Sequence, residues 1–201
     1  MTVRDRLLGT KVGYSSFRRL IKADRSMKQL IDEHFRPGPH DRVLDVGCGT
    51  GDLARLMPGS EYVGVDHNSA YISSPTGAKP GEPVFVNADL AELESLEIGT
   101  FDIALALGVI HHLDDGLAVS VVQAVHDKLR PGGRFITVDP AFHPDQRATA
   151  RVLMALDRGR FVRHPADYER LMRTSFSELD ITVRHDLNPF PYTHCIISGT
   201  A

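Results

Sequence analysis

Val43-Leu44-Asp45-Val46-Gly47-Cys48-Gly49-Thr50-Gly51 is the stretch whose reading decides the fold. An apolar run, Val43 to Val46, ends in three glycines at alternate positions, and a helix-compatible stretch, Asp52 to Met57, follows. The order is strand, tight turn, helix start. Glycines at such a turn accept positive φ and remove the Cβ atoms that would hold a ligand away. The helix start presents N–H groups with no partner in its own first turn. A turn of this kind cradles a nucleotide-like cofactor. The dinucleotide fingerprint G-x-G-x-x-G would need its third glycine where this chain has Asp52, which disfavours a nicotinamide dehydrogenase. The run here is G-x-G-x-G with Asp45 two residues ahead of it.

The chain on either side continues the alternation of strand and helix. Glu61 to Asp66 reads as a second strand ending in an acid. A carboxylate at that strand end can accept both hydroxyl hydrogens of a ribose. An acid there also serves as a cap or turn residue before Asn68 and Ser69. Val84 to Val86 is a third short strand leading into Asn87-Ala88-Asp89-Leu90. Phe101 to Leu107 is nearly continuous in apolar residues, as a central parallel strand buried on both faces must be. It leads through Gly108 to His111-His112 and then Asp114-Asp115, a helix-start signal. The helix after it carries Leu117, Val121, Val122, Val125 and Leu129 on one face, and Pro131-Gly132-Gly133 stops it. Arg134 to Val138 is the next strand, ending at Asp139-Pro140.

With the glycine motif and the acids at 45, 66 and 89, residues 40 to 140 resemble the class I S-adenosylmethionine-dependent methyltransferases of small-molecule type, including those similar to the quinone-biosynthesis enzymes. The resemblance implies an α/β fold with a doubly wound, mostly parallel seven-stranded sheet, helices on both faces and an antiparallel last strand. It implies S-adenosylmethionine as cofactor and S-adenosylhomocysteine as product. By position in the motif series, Asp45, Gly47, Cys48, Gly49 and Gly51 fall at the methionine part, and Asp66 and His67 at the ribose. Asp89 falls at the adenine amino group, Leu90 on the ring, and Leu107 at the end of the strand that faces the methyl. Cys48 fits the turn simply by being small, and Asp89 is equally suited to cap a helix.

At 201 residues one domain is expected, 1–201, with a core large enough to need no staples. Hydrophobic residues make up 42% and the net charge is −3, so no basic field draws the chain to nucleic acid. The two cysteines, Cys48 and Cys195, build neither a disulfide framework nor a zinc site. Neither a signal-peptide core nor a run of membrane-spanning length is present, so a cytoplasmic protein without membrane association is the expectation. Nothing sets an oligomeric state.

Four segments are expected. Residues 1–36 read as a helical lid, with Phe17, Leu20, Met27, Leu30, Ile31 and Phe35 near helical spacing and Tyr14 placed to contact a sulfonium or merely to pack. Residues 37–139 form the cofactor-binding core, in which the usual helix after the second strand shrinks to Ser69–Ile72 because Pro75, Gly77, Pro80 and Gly81 follow. Residues 140–178 read as a substrate cap with helices at Asp145–Leu156 and Pro165–Phe176, and Arg163 between them as a substrate-binding candidate. Residues 179–201 form a strand pair, Leu179–His185 and Tyr192–Ser198, with Tyr192 as a third substrate-binding candidate.

Methyl transfer to oxygen needs a nucleophile held in line and a base to take its proton. His111 and His112 stand where the fourth strand ends, and histidine titrates near neutral pH, so both are catalytic candidates. Either could instead cap a helix or pack beneath the cofactor. No metal-ligand spacing is present. The fourth-strand loop lacks the Asn/Asp-Pro-Pro-aromatic box frequent in enzymes that methylate nucleobases. The expected activity is O-methylation of a small hydroxylated molecule of natural-product, glycan or quinone-like type. The alternative is a methyltransferase-like domain that binds the cofactor and acts as a partner subunit or non-methylating catalyst.

Overall fold

Seven strands build one sheet: β1 (Arg42–Val46), β2 (Glu61–Asp66), β3 (Val84–Asn87), β4 (Phe101–Leu107), β5 (Leu129–Pro140), β6 (Glu178–Arg184) and β7 (His194–Thr200). Their order is β3-β2-β1-β4-β5-β7-β6, seen in a computed structural model that describes residues 23–70, 81–155 and 160–201. β1 pairs parallel to β2 and β4, and β4 pairs parallel to β5. β7 runs antiparallel to both β5 and β6, between which it is inserted. This is the doubly wound sheet with an antiparallel last strand that the sequence implies.

Side chains on a strand alternate between faces, and the core divides accordingly. Val43, Ile103, Leu105, Ile136, Val138 and Ile196 point to one face and cluster with Leu30, Ile31 and Phe35. Leu44, Val46, Ala104, Ala106, Phe135 and Ile197 point to the other. There they meet Val121, Val122 and Val125 of helix α2 (Asp115–Asp127) and Leu171 of helix α4 (Pro165–Met172). Asp114 caps α2 by accepting a hydrogen bond from the Leu117 amide at 2.9 Å.

The first face is covered by helix α1 (Ala23–Leu30) and a wider turn of helix, Ile31–Phe35. Arg36, in the left-handed conformation with φ 43°, ends it immediately before Pro37. Phe35 is fully buried, which contributes about 1.5–3 kcal/mol relative to an exposed ring. The Arg134 guanidinium donates to the carbonyls of His34 and Phe35 at 3.0 and 2.5 Å, pinning the segment to β5. Residues 26–35, the described end of the expected lid segment 1–36, pack on the sheet as a core layer, because Leu30, Ile31 and Phe35 find apolar partners there. Residues 1–22, with Tyr14, lie outside the described residues, as do Tyr71 and Ile72 of the expected turn Ser69–Ile72.

Other elements differ in extent. The stretch after the glycine turn is a 3₁₀ segment, Asp52–Leu56, with no side-chain cap. Pro58 bars Met57 from helical geometry, and Met57 sits at φ −122°, ψ 61°. Helix α3 (Ala148–Ala155) begins three residues after the expected start. Helix α4 begins at Pro165 as expected and ends at Met172. Phe176 beyond it packs on Gly199, where an added Cβ would come within 2.6 Å of its ring.

Candidate active site

The glycine turn joins β1 to the 3₁₀ segment at the carboxyl edge of the sheet. Gly47, Gly49 and Gly51 have φ values of 70°, 55° and 70°, a region costly for residues with a Cβ. Their surroundings differ. A Cβ on Gly47 would lie 2.6 Å from Val109, and one on Gly51 would lie 2.3 Å from the Phe85 ring. A Cβ on Gly49 would meet nothing within 4 Å among the described residues. Two of the glycines thus make room for the protein itself, while among the described residues nothing fills the space over Gly49.

Asp66, at the end of β2, is buried and ties the turn together. One carboxylate oxygen accepts from the Gly49 amide at 2.8 Å and the other from the Asn68 amide at 2.8 Å. An ionised carboxylate has about four acceptor sites, so these two bonds leave capacity for a pair of ribose hydroxyls. The exposed His67 ring lies 3.7 Å from the same carboxylate. Asp45 points to the α1 face, where it accepts a hydrogen bond from the Tyr62 hydroxyl. Burial first, and then the Asp45 charge, push the Tyr62 hydroxyl well above its ordinary range. Asp45 holds β1 against β2 through this bond.

Cys48 packs against Gly64 of β2, where an added Cβ would sit 2.7 Å from its sulfur. Burial, followed by the charges of Asp45 and Asp66, pushes its thiol far up. It stays a thiol and is no nucleophile. Asp89 caps the 3₁₀ segment Leu90–Ser95 by accepting from the Ala91 amide at 2.9 Å, and its side chain is otherwise exposed. Leu90 and Leu107 are both half-buried.

At the end of β4 the chain turns at Gly108, whose φ is 67° and whose amide donates to Val138 at 2.8 Å. The two histidines that follow part company. His112 is exposed. His111 is buried, and its Nδ1 lies 2.8 Å from Asp139 Oδ1, which also accepts from the His111 amide at 3.1 Å. Asp139 is 1% exposed at the end of β5. Its second oxygen is buried without a hydrogen-bond partner among the described residues, a cost of about 1–3 kcal/mol retained at the site. Sequence reasoning passed over Asp139 as a site residue. The available signal was an acid closing a parallel strand, the same signal that marks Asp66.

Arg163 lies beneath this loop and is buried. All five of its donor N–H groups are engaged. It bonds the Asp115 carboxylate from Nε at 3.0 Å and from a terminal nitrogen at 2.7 Å. It also donates to the carbonyls of Ile110, Phe161 and Leu113 at 3.1, 3.0 and 2.8 Å. Its expected role in holding substrate gives way to that of a strut for the β4 loop. Tyr192 stands on the far rim, just before the start of β7, its ring 5.2 Å from that of His194 and tilted by 51°.

Residues 44–137 match the family described as a methyltransferase domain. Over this part of the sheet the chain is similar to the class I S-adenosylmethionine-dependent methyltransferases. A ubiquinone biosynthesis O-methyltransferase of Acinetobacter baylyi is 29% identical over 126 residues, covering 60% of this chain and 52% of its own length. The chain thus spans about half the length of that relative. Among solved structures, the apo methyltransferase SibL superposes with a TM-score of 0.68 at 20% identity, covering 98% of this chain and 61% of SibL. Human N-acetylserotonin methyltransferase in complex with S-adenosylmethionine gives 0.64 at 16% identity, covering 88% and 51%. Both likenesses speak to the fold. Among the described residues, no group of three or more His, Cys, Asp or Glu is placed to hold a metal. Nor is any helix among them long and apolar enough to cross a membrane.

Proposed function

We propose that this chain methylates a hydroxyl group of a small molecule, with His111 as general base and Asp139 as the residue that positions it. The observation that carries this reading is the 2.8 Å contact between His111 Nδ1 and Asp139 Oδ1 at the carboxyl end of β4. The open space over Gly49 and the spare acceptor capacity of Asp66 fit S-adenosylmethionine. Gly47, Cys48, Gly49 and Gly51 would hold its methionine part, with Asp45 bracing the turn. Asp66 and His67 would hold the ribose, Asp89 and Leu90 the adenine, and Leu107 would lie beside the sulfonium. When bound, the cofactor supplies a methyl group already activated on sulfur. The O-methyltransferase named among the relatives supports oxygen as the acceptor atom.

The protein's own part is orientation and proton handling. Asp139 accepts the Nδ1–H of His111, an assignment made from the hydrogen bond. That fixes the tautomer with Nε2 as the basic nitrogen. Nε2 then takes the hydroxyl proton as oxygen becomes the nucleophile, and the Asp139 carboxylate stabilises the imidazolium that results. The proton leaves to solvent after transfer. His112 is exposed, its ring 4.1 Å from that of His111, and in this reading the base is His111.

The test uses release of S-adenosylhomocysteine over a panel of small phenols and alcohols. His111→Asn should lower kcat by ~10²–10⁴-fold, the usual worth of general-base assistance, with S-adenosylhomocysteine affinity unchanged. Asp139→Asn should lower kcat comparably, because its amide presents a donor to Nδ1 and inverts the tautomer. His112→Asn should leave the rate within twofold. A near-normal rate in His111→Asn would remove the base and leave positioning alone as the source of catalysis.

A further inference from the structure

The geometry points to an acceptor pocket of defined chemistry on the far rim: the cleft between the start of α3 and residues 185–193 receives a flat aromatic ring that carries an anionic substituent. This rests on the methyl-transfer reading above and names the class of molecule it acts on. The cleft has a volume of about 380 Å³ and is lined by Arg147, His185, Asn188, Phe190, Tyr192 and Thr193, among others. That volume lies at the small end of the ~300–1,000 Å³ typical of small-molecule sites.

Its place in the fold follows from strand register. Thr193, in its wall, accepts a hydrogen bond from the Ala141 amide at 3.1 Å. Across the same pair of strands, Pro140 lies opposite His194 and Asp139 opposite Cys195. The cleft therefore opens one strand beyond Asp139 and two beyond β4. Neighbouring strands are ~4.8 Å apart, so about 10 Å separates its floor from the strand that leads to His111. A ring seated in the cleft covers most of that distance, and the His111 side chain reaches toward it from β4, whereas a two-carbon alcohol is too short.

The walls specify a ring. Phe190 and Tyr192 meet edge to face with centroids 5.8 Å apart and planes at 77°. Tyr192 continues to His194 at 5.2 Å. Pro189 and Pro191 alternate with these aromatics and restrict the backbone that carries them. Such a surface favours offset or edge-on packing of another ring. His185 is oriented by a 3.0 Å contact between its Nδ1 and the Thr193 hydroxyl, and it packs on His143 at 5.7 Å.

At the mouth Arg147 offers a cation for an anionic substituent. Arg147 is exposed and its guanidinium enters no ion pair among the described residues. Asp145 also lines the cleft, and its carboxylate lies 3.8 Å from His143 Nδ1. The fork of a guanidinium matches a carboxylate with two parallel hydrogen bonds. A ring between the aromatic walls would place its acid group within reach of Arg147.

The experiment titrates the S-adenosylhomocysteine-loaded protein with 4-hydroxybenzoate and with phenol by calorimetry. The expected result is at least tenfold tighter binding of 4-hydroxybenzoate. Arg147→Gln should abolish that preference while leaving S-adenosylhomocysteine affinity and Tm unchanged. Tyr192→Ala should weaken both ring compounds by fivefold or more. Equal affinities for the two compounds, or an Arg147→Gln protein that keeps the preference, would overturn the acceptor pocket. Failure of S-adenosylhomocysteine to bind at all would instead overturn the methyl-transfer reading, so the two failures are distinct.

Discussion

Alanine placed at Gly49 and at Gly51 should separate the ligand-facing part of the turn from its structural part. The two positions share backbone geometry, with φ of 55° and 70°. A Cβ in this region costs about 1–2 kcal/mol. At Gly49 nothing among the described residues lies within 4 Å of the new atom, so that cost is the whole expected effect on stability. For a chain of 201 residues it lowers Tm by about 2–8 °C. At Gly51 the Cβ would lie 2.3 Å from Phe85 Cε1 and 2.4 Å from Cζ. Overpacking adds about 1–3 kcal/mol, for a total of about 2–5 kcal/mol and a fall of about 4–20 °C. Binding should rank the other way. Gly49→Ala fills the open space over the turn and should weaken S-adenosylhomocysteine at least tenfold, about 1.4 kcal/mol. Gly51→Ala with Phe85→Leu, which relieves the overlap, should regain most of the lost stability and retain binding. Scanning calorimetry and titration calorimetry on the three proteins decide the matter. Wild-type affinity in Gly49→Ala would show that the cofactor does not lie on this turn.

Asp66→Ala leaves ribose hydroxyls unpaired, about 1–3 kcal/mol, so S-adenosylhomocysteine affinity should fall at least tenfold by calorimetry while the fold survives. Asp66→Asn, which keeps one acceptor, should fall less. Arg163→Met strips buried carbonyls of Ile110 and Leu113 of their donor and should destabilise by about 2–4 kcal/mol in urea; a change under 0.5 kcal/mol would refute the strut. The Cys195 thiol is pushed up to about 12, by burial first and then by Asp139. An unfolded thiol titrates near ~8.5. The folded state therefore holds its proton more tightly, and this contribution is complete below pH ~8.5 and lost progressively as pH rises toward about 12. Cys195→Ala should flatten the stability decline measured between pH 8 and 10.5, and an unchanged slope would assign the decline elsewhere.

Much of the fold was legible in the chain because local rules carried it. Alternation of apolar strands with helix signals marks a parallel sheet, and G-x-G-x-G after such a strand marks the cofactor turn. Asp66 was readable from its position at a strand end, and α4 from Pro165 at its first residue. Where the sequence left a role open, the deciding partner was distant in the chain. The apolar face of residues 26–35 shows only that something covers it; contact with Ile136, Val138 and Ile196 makes it a core layer. Arg163 in a charged loop looks available for substrate until Asp115 and three carbonyls, drawn from residues 110 to 161, consume every donor it has.

The two adjacent histidines show the same division. Sequence alone placed both at the end of the fourth strand, because the apolar run and the glycine after it fix where the strand stops. It could not rank them, since neighbouring residues leaving a strand differ only in direction. The tertiary structure decides by burying His111 against Asp139, 28 residues away in the chain, and leaving His112 at the surface. Motifs record where a chain must bend and what local chemistry it carries. Which side chains share a proton depends on strand order, and strand order is settled by the packing of the whole sheet.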